Sequence, residues 1–353
     1  MSQSNPRSVR VALRPIPASP AIGFPLPPSD PPVRAGVTLA HWLELWMERE
    51  IEPCREDTTV SGYRNIIRNH IVPALGRVRL SALSPELING YYQWLSEAKG
   101  LSPNTIRKHH VLLHTALKSA FRQGVIPVNP IQRAAPPRPV ETEAVYYTPA
   151  RLVQLLQAVK ETPLDVPVRL ACFLGLRRSE ILGLRWRDVD LQSGRLSVRW
   201  VRTAAGARVV EKPPKTSGSC RTLSIAALDE LAELLRGLRA QRSREGAPCS
   251  PDDFLLLAAD GHPIRPSALS ASLAAFVKER RLPPITFHGL RHTFASMANS
   301  ARVPMYQISR AMGHANPGIT QRIYTHLFDQ THGEVLAAVA DVVKAGSTSL
   351  TSA

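Results

Sequence analysis

Two stretches near the C-terminal end, FHGLRHTFA (Phe287 to Ala295) and MGHANPGITQRIYTHL (Met312 to Leu327), bring His288, Arg291, His314 and Tyr324 into one short span of chain. An arginine, histidines and a tyrosine are the side chains needed to attack a phosphodiester with a phenolic oxygen. A phenol, with a reference pKa of about 10, is a poor nucleophile at neutral pH unless its proton is removed or its charge is stabilised. The transition state at phosphorus gathers negative charge on the non-bridging oxygens, which planar guanidinium groups neutralise with paired hydrogen bonds. The leaving oxygen needs a proton donor, a role that lysine or histidine fills. The kit for such a reaction is two arginines, a lysine, one or two histidines and a tyrosine.

The rest of the chain supplies the missing members. Arg177 stands in GLRRSEILGLRWRDVDL three residues before Glu180. That spacing puts the carboxylate on the same helix face, where it can orient the guanidinium. Lys215 stands in KPPKTSGSCRTLSI, on a turn between two predicted strands. His288 and Arg291 are three apart at a helix start and share a face. His314 closes a short helix, and Tyr324 stands on the next one. Taken singly, each has a plainer reading: Arg177 and Glu180 as a surface ion pair, Lys215 as a solvated turn lysine, His288 as a helix cap or core histidine, Tyr324 as a ring buried on an amphipathic helix. Their joint order is what sets them apart. His288 and His292 are also i, i+4, a zinc-ligand spacing. A zinc hydrolase of that type needs Glu directly after the first histidine, and this chain has Gly289 there.

These residues need a scaffold, and the composition suggests its partner. The 353 residues carry 44 Lys and Arg against 28 Asp and Glu, a formal net charge of +16, with 44% hydrophobic residues. The length suits two domains with a tail. The charge points to a polyanion, of which nucleic acid is the commonest. No apolar run is long enough to span a bilayer, and the N-terminal arginines precede no continuous apolar core of a secretory signal. Cys54, Cys172, Cys220 and Cys249 are scattered without a Cys-x-x-Cys pair, so neither a zinc ribbon nor a redox motif is expected, and reduced thiols in a cytoplasmic protein are.

Residues 1–36 are rich in proline and small residues, lack apolar periodicity, and read as a disordered tail. From 37 to 132 the pattern is helical: Thr38 caps a run with Leu39, Trp42, Leu43 and Trp46, a second helix runs through TTVSGYRNIIRNHIVPAL, a third opens at Ser84 and Pro85, and a fourth ends at Gly124. These helices carry Arg64, Arg68, Arg107, Lys108 and Lys118 on polar faces, the candidate DNA contacts. A proline-broken linker follows at 133–147. The region 148–332 mixes helices, among them VPVRLACFLGLRRSEILGL as one helix, with RLSVRWV, ARVVEK and RTLSI as strands of one small antiparallel sheet. Residues 333–353 hold a last helix with Val335, Leu336, Val339, Val342 and Val343 at helical spacing, which is expected to dock on a neighbouring copy or fold back on its own domain. The fold class is mostly α with a small antiparallel sheet, α+β.

In order and setting, these residues resemble the tyrosine recombinase (phage integrase) family. The family's arginine in a T-G-L-R-x-x-E segment is matched by Leu174 to Glu180, its β-hairpin lysine by Lys215, its H-x-L-R-H by His288 to His292, its L-G-H by Met312-Gly313-His314, and its Y-x-H by Tyr324-Thr325-His326. The match spans residues from about 37 to 328. Leu174 replaces the usual threonine. The all-α segment is similar to the core-type DNA-binding domain of integrases from temperate phages and integrative elements, and only the Pro-rich tail stands where many of them carry an arm-type domain.

The resemblance implies a C-shaped clamp on double-stranded DNA, four protomers at a recombination site, and accessory DNA-bending or directionality proteins. It implies that Tyr324 forms a 3′-phosphotyrosine while Arg177 and Arg291 hold the non-bridging oxygens. Lys215 then protonates the leaving oxygen, His288 assists proton transfer and His314 hydrogen-bonds the phosphate. No metal, ATP or other cofactor is required. The expected place of work is the cytoplasm, on the nucleoid. The rival readings are a catalytically silent DNA-binding protein of this fold, a type IB topoisomerase and, more distantly, a metallohydrolase.

Overall fold

The computed structural model describes residues 36–141, 144–215 and 217–313. Thr38 opens the first helix: its hydroxyl accepts the backbone N–H of His41, and α1 (Leu39–Trp46) buries Leu39, Trp42, Leu43 and Trp46. This helix runs on into a π-helical turn, Met47–Ile51. The second helix is α2 (Asp57–Ile66), continued by a π-helical turn and by α3 (Val72–Leu75). Ser84 and Ser102 cap α4 (Pro85–Glu97) and α5 (Pro103–Arg122), each accepting a backbone N–H three residues on and each followed by proline. These helices close around one core that includes Trp46, Ile71, Ile88, Leu95, Leu112, Leu113 and Leu117. Each such aliphatic side chain contributes about 2 kcal/mol by leaving water. The indole of Trp42 donates to the Ala116 carbonyl at 3.0 Å, so its burial leaves no donor unmet.

The proline-rich segment after α5 is docked rather than loose. Asn89 and Asn104 bind its backbone at Ala135 and Val140, and Arg107 donates to the Pro137 carbonyl at 3.2 Å. It ends on the second half of the molecule, where Tyr147 N–H donates to Thr293 at 2.9 Å.

That half begins with α6 (Pro149–Val159) and α7 (Asp165–Leu174). The sequence reading of one helix from Val166 to Leu184 is corrected here. Gly175 takes a left-handed conformation, φ +61°, and ends α7, and the chain restarts as α8 (Arg178–Gly183). A side chain at Gly175 would meet the Phe294 ring at 2.6 Å, so close packing as well as backbone conformation calls for glycine.

The single expected sheet is also two. Strands β1 (Val189–Asp190) and β2 (Arg195–Val198) form one antiparallel sheet with a later strand, while β3 (Val201–Ala205) and β4 (Arg208–Lys212) form a separate hairpin. The later strand is β5 (Arg221–Ser224), paired with β2. RLSVRWV divides where its backbone crosses α8: a Cβ on Gly183 would lie 2.3 Å from the Trp200 carbonyl oxygen. Lys215 therefore sits on a connection between two sheets and not on a hairpin turn.

Four helices complete the described chain: α9 (Asp229–Glu245), α10 (Pro266–Glu279), α11 (Phe287–Ser300) and α12 (Met305–Met312). Leu170, Leu176, Ile181, Leu196, Val198, Leu235, Leu273 and Leu290 share a second core. The mostly helical α+β class read from the sequence is the class found.

Candidate active site

The break at Gly175 sets up the site. It leaves Arg177 as the residue that caps α8, with Glu180 in the first turn. Arg177 N–H donates to Glu180 Oε2 at 2.9 Å and its Nη1 to Oε1 at 2.7 Å. The two residues are partners as the sequence suggests, but through a helix cap rather than a shared helix face. Glu180 is fully buried. Burial alone would raise its pKa, yet the hydrogen bonds and charge of Arg221, with the charge of Arg177, outweigh it and hold the carboxyl below its usual range.

Thr286 caps α11 by accepting Gly289 N–H, which places His288, Arg291 and His292 in the first two turns. Arg291 is 1% exposed. Its Nη1 donates to the Gly175 carbonyl at 2.6 Å and its Nη2 to the Met312 carbonyl at 2.8 Å. Arg177 reaches the same helix end, from Nη1 to Met312 at 3.4 Å and from Nη2 to Gly313 at 3.2 Å. The Met312 oxygen thus accepts from both guanidinium groups. The C-terminus of α12, closed by left-handed Gly313, carries the partial negative charge that suits them.

His288 lies at the edge of this cluster, its ring edge-on to that of His292 with centroids 4.4 Å apart. His288 is solvent-exposed yet has enough protein around its ring to be partly desolvated. That desolvation, followed by the charges of Arg291 and Arg177, lowers its pKa. His292 is buried, and desolvation with the His288 and Arg291 charges takes it down to about 4.

Lys215 is elsewhere. Its exposed ammonium lies 3.5 Å from Glu56, at the start of α2, and Lys212 donates to the same carboxylate at 2.5 Å. That hydrogen bond, above all, lowers the Glu56 pKa. The hairpin carrying Lys212 rests on α2, with Arg208 3.9 Å from Asp57. Of the basic residues read as DNA contacts, Arg107 and Lys108 flank an apolar depression between α2 and α5 formed by Tyr63, Ile66 and Val111. Arg68 and Lys118 are exposed. Arg64 is set apart, tied to Glu52 and 3.5 Å from Glu44. His314, Tyr324, the residue 1–35 tail and the helix after Gly333 lie outside the described residues.

Two residues escaped the sequence reading. Arg221, at the start of β5, donates from Nη2 and Nη1 to the two Glu180 oxygens and from Nε to the Ala311 carbonyl. Ser219 donates its hydroxyl to the Gly313 carbonyl at 3.2 Å. The signal for Arg221 was its parity: it shares an inward face with Leu223, and a charge there requires a buried counter-charge.

The phage integrase family model matches residues 146–331, and the phage integrase SAM-like domain matches 45–135. This chain belongs to the phage integrase family. It is 27% identical over 327 residues to the XerC-like tyrosine recombinase of Caldanaerobacter subterraneus subsp. tengcongensis, covering 87% of this chain and 83% of that one. It is 25% identical to the integrase of Mycobacterium phage L5, over 84% and 78% of the two chains. Among solved structures, the integrase of transposon Tn1549 in complex with a circular intermediate DNA superposes with a TM-score of 0.73 at 21% identity, over 86% and 99% of the chains. A lambda integrase dimer bound to a core site gives 0.62 at 17%, over 81% and 77%. The phage-integrase assignment makes the chain a tyrosine site-specific DNA recombinase. Among the described residues of this integrase, no helix is long and apolar enough to cross a membrane.

Proposed function

We propose that this integrase cuts and rejoins double-stranded DNA through a 3′-phosphotyrosine on Tyr324, to integrate or excise a mobile element. The observation that carries the assignment of roles is the convergence of Arg177 and Arg291 on one acceptor, the Met312 oxygen, with Glu180 behind Arg177. A non-bridging phosphate oxygen carries more charge than a carbonyl, so the same donors bind it more strongly. Preorganised donors of this kind stabilise a phosphorane-like transition state without reorganising at the moment of reaction.

In the forward step the Tyr324 oxygen forms a bond to phosphorus and the bond to the 5′ oxygen breaks. The phenolic proton passes towards His288, whose lowered pKa favours the neutral imidazole able to accept it. Lys215 gives a proton to the leaving oxygen, and His314 hydrogen-bonds the phosphate. Attack by a partner strand's 5′ hydroxyl reverses these steps and releases the phenol. Four protomers assemble on two duplexes, each gripping DNA between the helical half and the catalytic half, on the nucleoid and with DNA-bending or directionality proteins. Arg68, Arg107, Lys108 and Lys118 meet phosphates, with Arg64 joining once it leaves Glu52.

The test uses nicked duplexes tiled from the DNA flanking the gene, so that cleavage becomes irreversible, resolved on denaturing gels. A covalent adduct that vanishes in Tyr324→Phe is the expected result. Salt-sensitive binding with no adduct would favour a silent DNA-binding protein. An adduct on these duplexes, with relaxation of a separate supercoiled plasmid but no strand exchange, would favour a topoisomerase.

A further inference from the structure

We infer that Arg221 is a positioning residue of the active site, which holds Glu180 so that Arg177 keeps Nη2 turned away from Glu180, towards the end of α12 where the scissile phosphate is proposed to bind. The inference rests on the roles proposed above for Arg177 and Tyr324. Glu180 is 1% exposed and accepts from both Arg177 and Arg221. Its Oε1 accepts Arg177 Nη1 at 2.7 Å and Arg221 Nη1 at 3.2 Å. Its Oε2 accepts Arg177 N–H at 2.9 Å and Arg221 Nη2 at 3.0 Å. A carboxylate offers about four lone-pair sites, and here four donors fill them.

The sharing matters because Arg177 has two claims on it. A buried carboxylate with one arginine for a partner draws that arginine into a bidentate fork. Arg221 takes one position on each Glu180 oxygen, so Arg177 contributes only Nη1 and its backbone N–H. Arg177 Nη2 points instead to the Gly313 carbonyl, beside the Met312 oxygen that Arg291 binds. Without Arg221, the Arg177 fork would turn towards Glu180 and away from that point.

Arg221 also holds the other wall. Its Nε donates to Ala311 at 2.6 Å, so one side chain fixes both the arginine and the end of α12, from which the chain continues to His314. A side chain on Gly313 would lie 2.7 Å from Arg221 Nη1, which shows how closely the guanidinium is packed there. Finally, Arg221 lies six residues after Lys215 along the chain, which places the proton donor's loop and the clamp's support on one segment.

The test measures single-turnover adduct formation on a nicked duplex that wild-type protein cleaves, carrying at the scissile position either the natural phosphate or an uncharged methylphosphonate. Arg221→Gln should form adduct about a hundredfold more slowly on phosphate, the scale expected when a catalytic group is misplaced by an ångström. DNA affinity should stay at the wild-type level. On methylphosphonate the gap should narrow, because a neutral phosphorus centre asks less of Arg177. Arg221→Lys, which keeps a charge beside Glu180 but not the fork, should fall between the two, and it carries the comparison if Arg221→Gln does not fold. Equal losses on both substrates, or wild-type rates in a folded variant, would overturn the inference while leaving the tyrosine reaction standing. A wild-type protein that forms no adduct on any duplex would overturn both.

Discussion

Arg291 is 1% exposed and gives both ends of its guanidinium to backbone carbonyls, whereas the Lys215 side chain is 70% exposed and leans on Glu56 from the helical half of the molecule. Arg221 and Glu180 are buried with Arg291 and Arg177 lies at the rim of that group, its side chain 34% exposed, while Glu56 belongs with Lys215. The proposed clamp is held by hydrogen bonds within one half, and on that proposal it should keep its geometry when DNA binds. Lys215, the proposed proton donor, is held by a surface ion pair worth ~1 kcal/mol or less. A pair that weak yields readily to a nucleic acid, while a buried network does not. The difference suits the chemistry: charge stabilisation gains most from rigidity, and proton transfer needs only proximity at the right time.

The sharpest way to break this contrast is at Arg291. Arg291→Ala should lower adduct formation by about a thousandfold, on the scale of a lost oxyanion donor, and should also lower the melting temperature because the Met312 and Gly175 carbonyls lose a donor. Arg291→Lys should not rescue it, since an ammonium cannot reach two divergent acceptors. A folded Arg291→Ala protein that cleaves within tenfold of wild type would place the clamp elsewhere.

Gly175→Ala asks whether the break between α7 and α8 is as rigid as the clamp requires. It combines a left-handed backbone with a 2.6 Å approach to the Phe294 ring and should cost about 2 kcal/mol of stability by chemical denaturation. Gly313→Ala should cost a similar amount, because it combines a left-handed backbone with a 2.7 Å approach to the Arg221 guanidinium, itself pinned by Glu180 and Ala311.

The pH dependence separates the rigid interior from the surface in another way. His109, buried against Tyr91, and His292 both fall from 6.5 to about 4, chiefly through desolvation. Above pH 6.5 these groups are neutral folded or unfolded and contribute nothing. Between 6.5 and 4 the unfolded chain binds protons that the folded chain refuses, so stability should fall with acidification, by up to ~1 kcal/mol per pH unit for each histidine. Glu180 and Glu56, both lowered, add stability above their ordinary range that is lost below it. Denaturation midpoints across this range would show the slope, and His109→Gln should reduce it.

At the surface the effect is smallest. Glu56→Gln should change stability by less than ~1 kcal/mol. By releasing Lys212 and Lys215 it should raise DNA affinity modestly and steepen its salt dependence. Binding isotherms at two salt concentrations would decide it, and weaker binding by Glu56→Gln would contradict the view of this pair as a displaceable contact.

The sequence told most about features that rest on local chemistry. Thr38, Ser84 and Ser102 announced helix starts that the structure keeps, because caps act within three residues. The pairing of Arg177 with Glu180 was legible from spacing, and the helical core from its apolar period. What was not legible depended on neighbours distant in sequence. Gly175 looked like a tolerated helix glycine until Phe294 packed against it, and RLSVRWV looked like one strand until Gly183 let its backbone cross. Glu180 has a second arginine 41 residues away, and Lys215 a carboxylate in the other half, and no local pattern encodes either pairing.

The central claim, that a rigid clamp and a separate proton donor serve one phosphate, is tested most directly by changing the leaving group. A duplex with sulfur in place of the 5′ bridging oxygen releases a thiolate, which needs no proton at neutral pH. On that substrate Lys215→Ala should recover a rate near that of wild type, while Arg291→Ala should remain as impaired as on the natural oxygen ester. Recovery of both variants, or of neither, would contradict the division of labour between the two regions.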